Sequence, residues 1–231
     1  MEFLSYSQFL YLFFFGFTYY YLIRNYDDFL YSLSEYGLQL LQFQCDISEE
    51  QIQNLPSKFI MVSTHTTVYD FMIAFLVYHK ILYKKYTLQI VMKKSFEEYV
   101  SPLLQRLHHK MECIQINETQ NGYTEQIIQQ LQHKDNYILG ICPEGTRKCV
   151  SKIKSGYYYI SKGLGNIPIV YIGIDYSKRK ICIDSIHEIE ETWEKEEQWF
   201  LSKAPLYIPL FPERCFWTQN VYTNKENHSD I

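Results

Sequence analysis

The chain has 231 residues, 47% of them hydrophobic and 17% aromatic, and a formal net charge of −4. That length suits one full-sized domain with a short appendage, and the apolar share excludes a disordered chain. The faintly acidic balance, with no basic block, excludes a dedicated nucleic-acid binder, which needs a cationic face to neutralise phosphates.

Residues 3–23 carry no charge and lie between Glu2 and Arg24. They lack the basic start and small-residue cleavage site of a signal peptide. At about 1.5 Å per residue, such a helix just reaches across a bilayer of about 30 Å. Its density of Tyr favours the headgroup level, so a helix lying in one leaflet competes with a true span. A buried helix of a globular domain is the third reading. The first two place the rest of the chain at a membrane surface.

Residues 27–44 read as an amphipathic helix, followed by a polar connector ending at Asn54-Leu55-Pro56. Residues 1–57 are thus expected to be an anchor and connector, 58–215 the main domain and 216–231 a polar tail. Within the main domain, Phe59 to Val62 reads as a buried strand. Residues 69–83 are apolar nearly all round and too long for a strand, which implies a buried helix. Thr87 to Met92 is a second strand, 95–109 a helix interrupted near Pro102, and Cys113 to Ile116 a third strand. Glu125 to His133 is a polar helix and Tyr137 to Cys142 a fourth strand. A short helix over 155–165 ends at glycines. The fifth strand, Ile167 to Tyr176, turns at 177–180 into Ile181 to Asp184 as a hairpin. Strands alternating with helices give an α/β fold: a mostly parallel central sheet flanked by helices, preceded by the N-terminal hydrophobic helix.

Two stretches that follow predicted strands carry the chemistry, where open α/β sheets place their sites. His65-Thr-Thr-Val-Tyr-Asp70 sets an imidazole ahead of a carboxylate. Histidine suits proton transfer near neutral pH, and a carboxylate partner fixes its tautomer. Five residues along a helix turn through about 500°, so His65 belongs on the loop and Asp70 in the first helical turn. The same residues also fit a capping box, with Thr67 as N-cap and Asp70 three residues on. Pro143-Glu-Gly-Thr-Arg147 offers an acid, a sharp glycine turn, a hydroxyl and a guanidinium suited to phosphate or carboxylate. An ordinary strand-to-helix turn with a surface ion pair fits it as well. There is no Gly-x-Ser-x-Gly elbow, no complete dinucleotide fingerprint and no Walker loop. The six cysteines form no Cys-x-x-Cys and no zinc spacing, so no metal is expected and the thiols read as reduced.

Taken together, these blocks resemble the glycerolipid acyltransferase family that includes the lysophosphatidic acid acyltransferases. That family has a His-x4-Asp block, a later Glu-Gly-Thr-Arg block and a Pro-containing hydrophobic strand, matched here by His65/Asp70, Glu144–Arg147 and Ile167-Pro168-Ile-Val170. Lys154-Ser-Gly-Tyr-Tyr-Tyr-Ile160 and Met92-Lys93 resemble further segments of compact members, so that the likeness spans roughly residues 58–185. The resemblance implies that His65, oriented by Asp70, deprotonates the hydroxyl of a lysophospholipid such as 1-acylglycerol-3-phosphate, with backbone N–H groups near Thr66 receiving the oxyanion. It implies substrate binding by Glu144, Gly145, Thr146, Arg147, Lys93, Lys154 and Pro168. The co-substrate would be acyl-CoA or acyl-carrier protein, with no other cofactor and no metal. Membrane lipids and the acyl thioester donor would be the partners, and the domain would sit on a membrane facing the cytoplasm. One departure is Glu118, in Ile114-Gln-Ile-Asn-Glu118, where the family has a phosphate-facing Arg. A catalytically degenerate lipid-binding protein and a thioester hydrolase are the alternative readings.

Overall fold

The computed structural model describes residues 26–93, 111–117 and 122–215. The N-terminal segment 3–23, the helix expected over 95–109, Glu118 and the tail 216–231 lie outside them. Among the described residues no helix is long and apolar enough to cross a membrane.

Seven strands form one sheet: β1 (Gln44–Asp46), β2 (Lys58–Val62), β3 (Thr87–Lys93), β4 (Met111–Ile116), β5 (Tyr137–Ile141), β6 (Ile169–Asp175) and β7 (Lys180–His187). Their spatial order is β1-β7-β6-β2-β5-β3-β4. Strands β6, β2, β5, β3 and β4 are mutually parallel, β6 and β7 form the antiparallel hairpin, and β1 runs parallel to β7. The five parallel strands therefore end along one common edge. β6 is buried along its whole length, which is why its sequence is apolar at every step up to Asp175 rather than alternating.

The helices are α1 (Tyr26–Leu40), α2 (Glu49–Gln53), α3 (Val68–Val77), α4 (Tyr123–Leu131), α5 (Gly156–Gly163) and α6 (Trp193–Lys203). The 69–83 helix is split: α3 runs into a π turn, Tyr78–Leu82. Two apolar cores sit on the two faces of the sheet. One packs Phe59, Ile138, Val170 and Ile172 against Ile73 and Val77 of α3. The other packs Ile60, Leu139 and Ile169 against Ile127 of α4, Tyr157 of α5 and Phe200 of α6. Neighbouring strand residues thus serve opposite cores, and each fully buried aliphatic side chain contributes about 1.5–3 kcal/mol.

Residues 26–57 carry more regular structure than a polar connector implies. β1 and α2 fall inside the supposed connector, and Leu30, Leu38, Phe43 and Leu55 are buried. A three-residue edge strand leaves too short a pattern to read. α6 and the two short 3-10 turns after it, Ala204–Leu206 and Pro212–Arg214, have no counterpart among the predicted elements.

Candidate active site

The common edge of β2 and β5 leads directly into both motifs. Leaving β2, the chain passes through Ser63 and Thr64 to His65, then enters α3 at its N-cap, Thr67. Asp70 is at the third helical position, and the capping box is formed. Its Oδ2 accepts the N–H of Thr66 at 2.7 Å and of Thr67 at 2.8 Å, and lies 3.3 Å from His65 Nδ1. Cap and His–Asp pair are therefore one structure, built on the same oxygen. Asp70 is buried and His65 is half-buried. With Nδ1 facing Asp70, Nε2 is the nitrogen left for a substrate.

Tyr176 completes the carboxylate shell. Its hydroxyl donates to Asp70 Oδ1 at 2.6 Å. It stands just past the end of β6, on the same edge as His65. Its place at the end of the fifth predicted strand is the one sequence signal that marks Tyr176.

Beyond β5 the chain turns through Cys142–Thr146. Gly145 has φ of +63°, and its N–H donates to Cys142 O at 2.9 Å. A Cβ at Gly145 would come within 2.7 Å of Lys154 Nζ, so the lysine lies directly over the glycine. Lys154 is anchored by its own N–H, which donates to Pro143 O at 2.8 Å. Glu144 turns inward and is 3% exposed. Its Oε1 accepts the N–H of His65 at 3.3 Å, while Oε2 is buried with no partner among the described residues. Burial pushes its carboxyl up to about 7, against the opposing effect of hydrogen bonds from its own N–H and that of His65. Burial first, with the Glu144 charge second, pushes the Tyr171 phenol well up.

A cavity of about 820 Å³ opens at this edge. His65, Asp70, Gly145 and Lys154 line it, with Cys142 and Ser155. Apolar lining comes from both cores: Met61, Leu88, Ile90 and Ile174 from one side, Val91, Ile127, Ile141 and Ile160 from the other. This is the form of a site for an apolar ligand with a few polar groups that fix its reacting end. Lys154 is the one Lys or Arg among the cavity-lining residues described.

The remaining expected site residues are placed differently. Arg147 is exposed, and Thr146 Oγ1 accepts the N–H of Lys148 within the turn at 3.3 Å; neither lines the cavity. Lys93 ends β3 on the same edge. Pro168 is not brought to the site. It precedes β6, and its carbonyl accepts the N–H of Ile60, five residues before His65, at the opposite end of the sheet. The N–H groups of His65, Thr66 and Thr67 all donate to carboxylates, so those of Thr66 and Thr67 are not open to an oxyanion. Arg214 had no sequence signal: its guanidinium donates to Thr66 O at 3.0 Å from a short turn 148 residues away.

The profile of a protein family described as Acyltransferase matches residues 46–175. Among curated proteins none matches. One similar solved structure is the crystal structure of the 1-acyl-sn-glycerophosphate (LPA) acyltransferase PlsC from Thermotoga maritima. It is 14% identical, with 82% of this chain and 85% of that chain covered and a TM-score of 0.49. At that level the likeness carries no functional information.

Proposed function

Because this chain belongs to the Acyltransferase family, whose profile matches more than half of it, we propose that it moves an acyl chain from acyl-CoA or acyl-carrier protein to a lysophospholipid such as 1-acylglycerol-3-phosphate. The observation that carries the reading is the His65 ring, held on Asp70 at 3.3 Å and lining an apolar cavity beside Lys154. Nε2 of His65 takes the proton of the acceptor hydroxyl. The oxygen attacks the thioester carbonyl, the C–S bond breaks, and the thiolate recovers the proton from His65. No acyl-enzyme and no metal enter this sequence. Lys154, rather than Arg147, is the cation that meets the anionic group of the substrate.

Membrane lipid as the source of the acceptor is supported by the surface. Phe29, Leu33, Tyr36 and Leu40 are all exposed along one side of α1, and Val68, Tyr69, Phe71 and Met72 are exposed on α3, the helix that carries Asp70. Contiguous apolar surface of this kind marks an interaction face. The residues expected to anchor the protein, 3–23, precede α1.

The test is acyl transfer from labelled acyl-CoA to a panel of lysophospholipids, read by product mass and by free CoA. CoA release that depends on the acceptor is expected. His65→Ala should lower the rate about 10²–10⁴-fold, the range of a lost general base. Release of equal CoA without acceptor would make the protein a thioester hydrolase. Full activity in purified His65→Ala would end the mechanism.

A further inference from the structure

The two oxygens of Asp70 are held by different parts of the molecule. Oδ2 takes the two backbone N–H groups and faces His65. Oδ1 takes the Tyr176 hydroxyl at 2.6 Å. The carboxylate torsion of an aspartate is broad and roughly two-fold. The donors on Oδ2 restrain this torsion from one side only, and a donor on Oδ1 closes the well from the other.

Tyr176 is well built for that task. Its own N–H donates to Ile208 O at 2.8 Å, and its ring meets Phe43 edge-on, centroids 5.2 Å apart. The residue before it, Asp175, is buried and closes the β6–β7 turn. Asp175 Oδ1 accepts from Ser177 N at 2.9 Å, Ser177 Oγ at 2.6 Å and Lys178 N at 3.1 Å. The phenol is thus delivered from a strand end pinned on both sides. Burial, with the Asp70 hydrogen bond second, pushes its pKa up, so it keeps the proton that it donates.

We propose that Tyr176 is a positioning residue of the transfer reaction: its hydroxyl fixes the plane of the Asp70 carboxylate and, through it, the tautomer and orientation of His65. The inference rests on the acyltransferase reading, in which His65 is the general base. Tyr176 does not line the cavity, so its effect belongs in turnover rather than in substrate affinity.

The experiment compares wild type, Tyr176→Phe, Asp70→Asn and the double variant in the acyl-CoA and lysophosphatidate assay, together with 15N spectra of His65 and melting temperatures. Tyr176→Phe is expected to lower kcat about tenfold, or about 1.4 kcal/mol, with both KM values within about twofold of wild type. In the Asp70→Asn background the same change should cost nothing further, since residues acting as one unit are not additive. The His65 spectrum should change from a single Nδ1–H tautomer to a mixture, a readout that does not need activity. Unchanged kcat with an unchanged spectrum overturns the proposal. So does an equal loss in both backgrounds, which marks a merely structural tyrosine. A wild-type protein that transfers no acyl group ends the acyltransferase reading itself, and the two failures are thereby separate.

Discussion

Glu144 is the residue whose environment most constrains the site. Its carboxyl is displaced from an ordinary 4.5 to about 7 by burial. The folded state therefore binds a proton that the unfolded state releases, and stability falls as pH rises through that window. At about 1.4 kcal/mol per unit, the fall attributable to this group is roughly 3 kcal/mol. Glu144→Gln keeps an acceptor for the His65 N–H and removes the titration. Urea denaturation from pH 5 to pH 8 should show the wild type losing stability relative to Glu144→Gln over that range. Parallel curves would remove Glu144 as the cause. The same burial explains why the family-like Glu-Gly-Thr-Arg block was only half legible. Residue identities pointed to a loop with an anion-binding guanidinium. Side-chain direction assigned Glu144 to the interior and Arg147 to solvent, and left the cavity to Gly145 and Lys154.

Among the elements, strand β6 holds most of what a sequence can and cannot disclose. Its apolar run identifies it at once as a central strand. The hairpin after it is equally plain, from the Ser177–Lys180 turn. What the run does not disclose is that Gly173 exists for a distant partner. A Cβ there would collide with the Tyr207 ring. The ring is held by its hydroxyl, which donates to Asp184 Oδ1 at 2.7 Å, and by stacking on Tyr171. Overpacking of this kind costs about 1–3 kcal/mol. Gly173→Ala should lose that much by urea denaturation, and much less in a Tyr207→Ala background, where the space is open. Equal losses in both would assign the cost to the strand backbone. The parallel strands, α3 and its cap were legible because burial and capping write local patterns. β1, α2, α6 and the contacts of Tyr176 and Arg214 were not. Except for α6, which packs on Tyr157 and Tyr171, each is a short element or a single side chain whose role is set by residues more than 100 positions away.

At the scale of the whole molecule, one edge of the sheet holds the candidate site, and α1 and α3 both expose apolar side chains. Replacing Phe29, Leu33, Tyr36 and Leu40 by Ser should reduce co-sedimentation with phospholipid vesicles at least about tenfold, since each apolar group withdrawn from water contributes on the order of 1 kcal/mol or more. The melting temperature should hardly move, because these positions are exposed. Unchanged sedimentation would exclude α1 from the membrane contact. The contact between Arg214 and the Thr66 carbonyl has another consequence, which concerns time. A chain is made from its N-terminus, and His65, Asp70, Glu144 and Tyr176 are all synthesised before residue 214. The Thr66 carbonyl has no guanidinium until then. The candidate site is thus completed by one of the last described residues to be made.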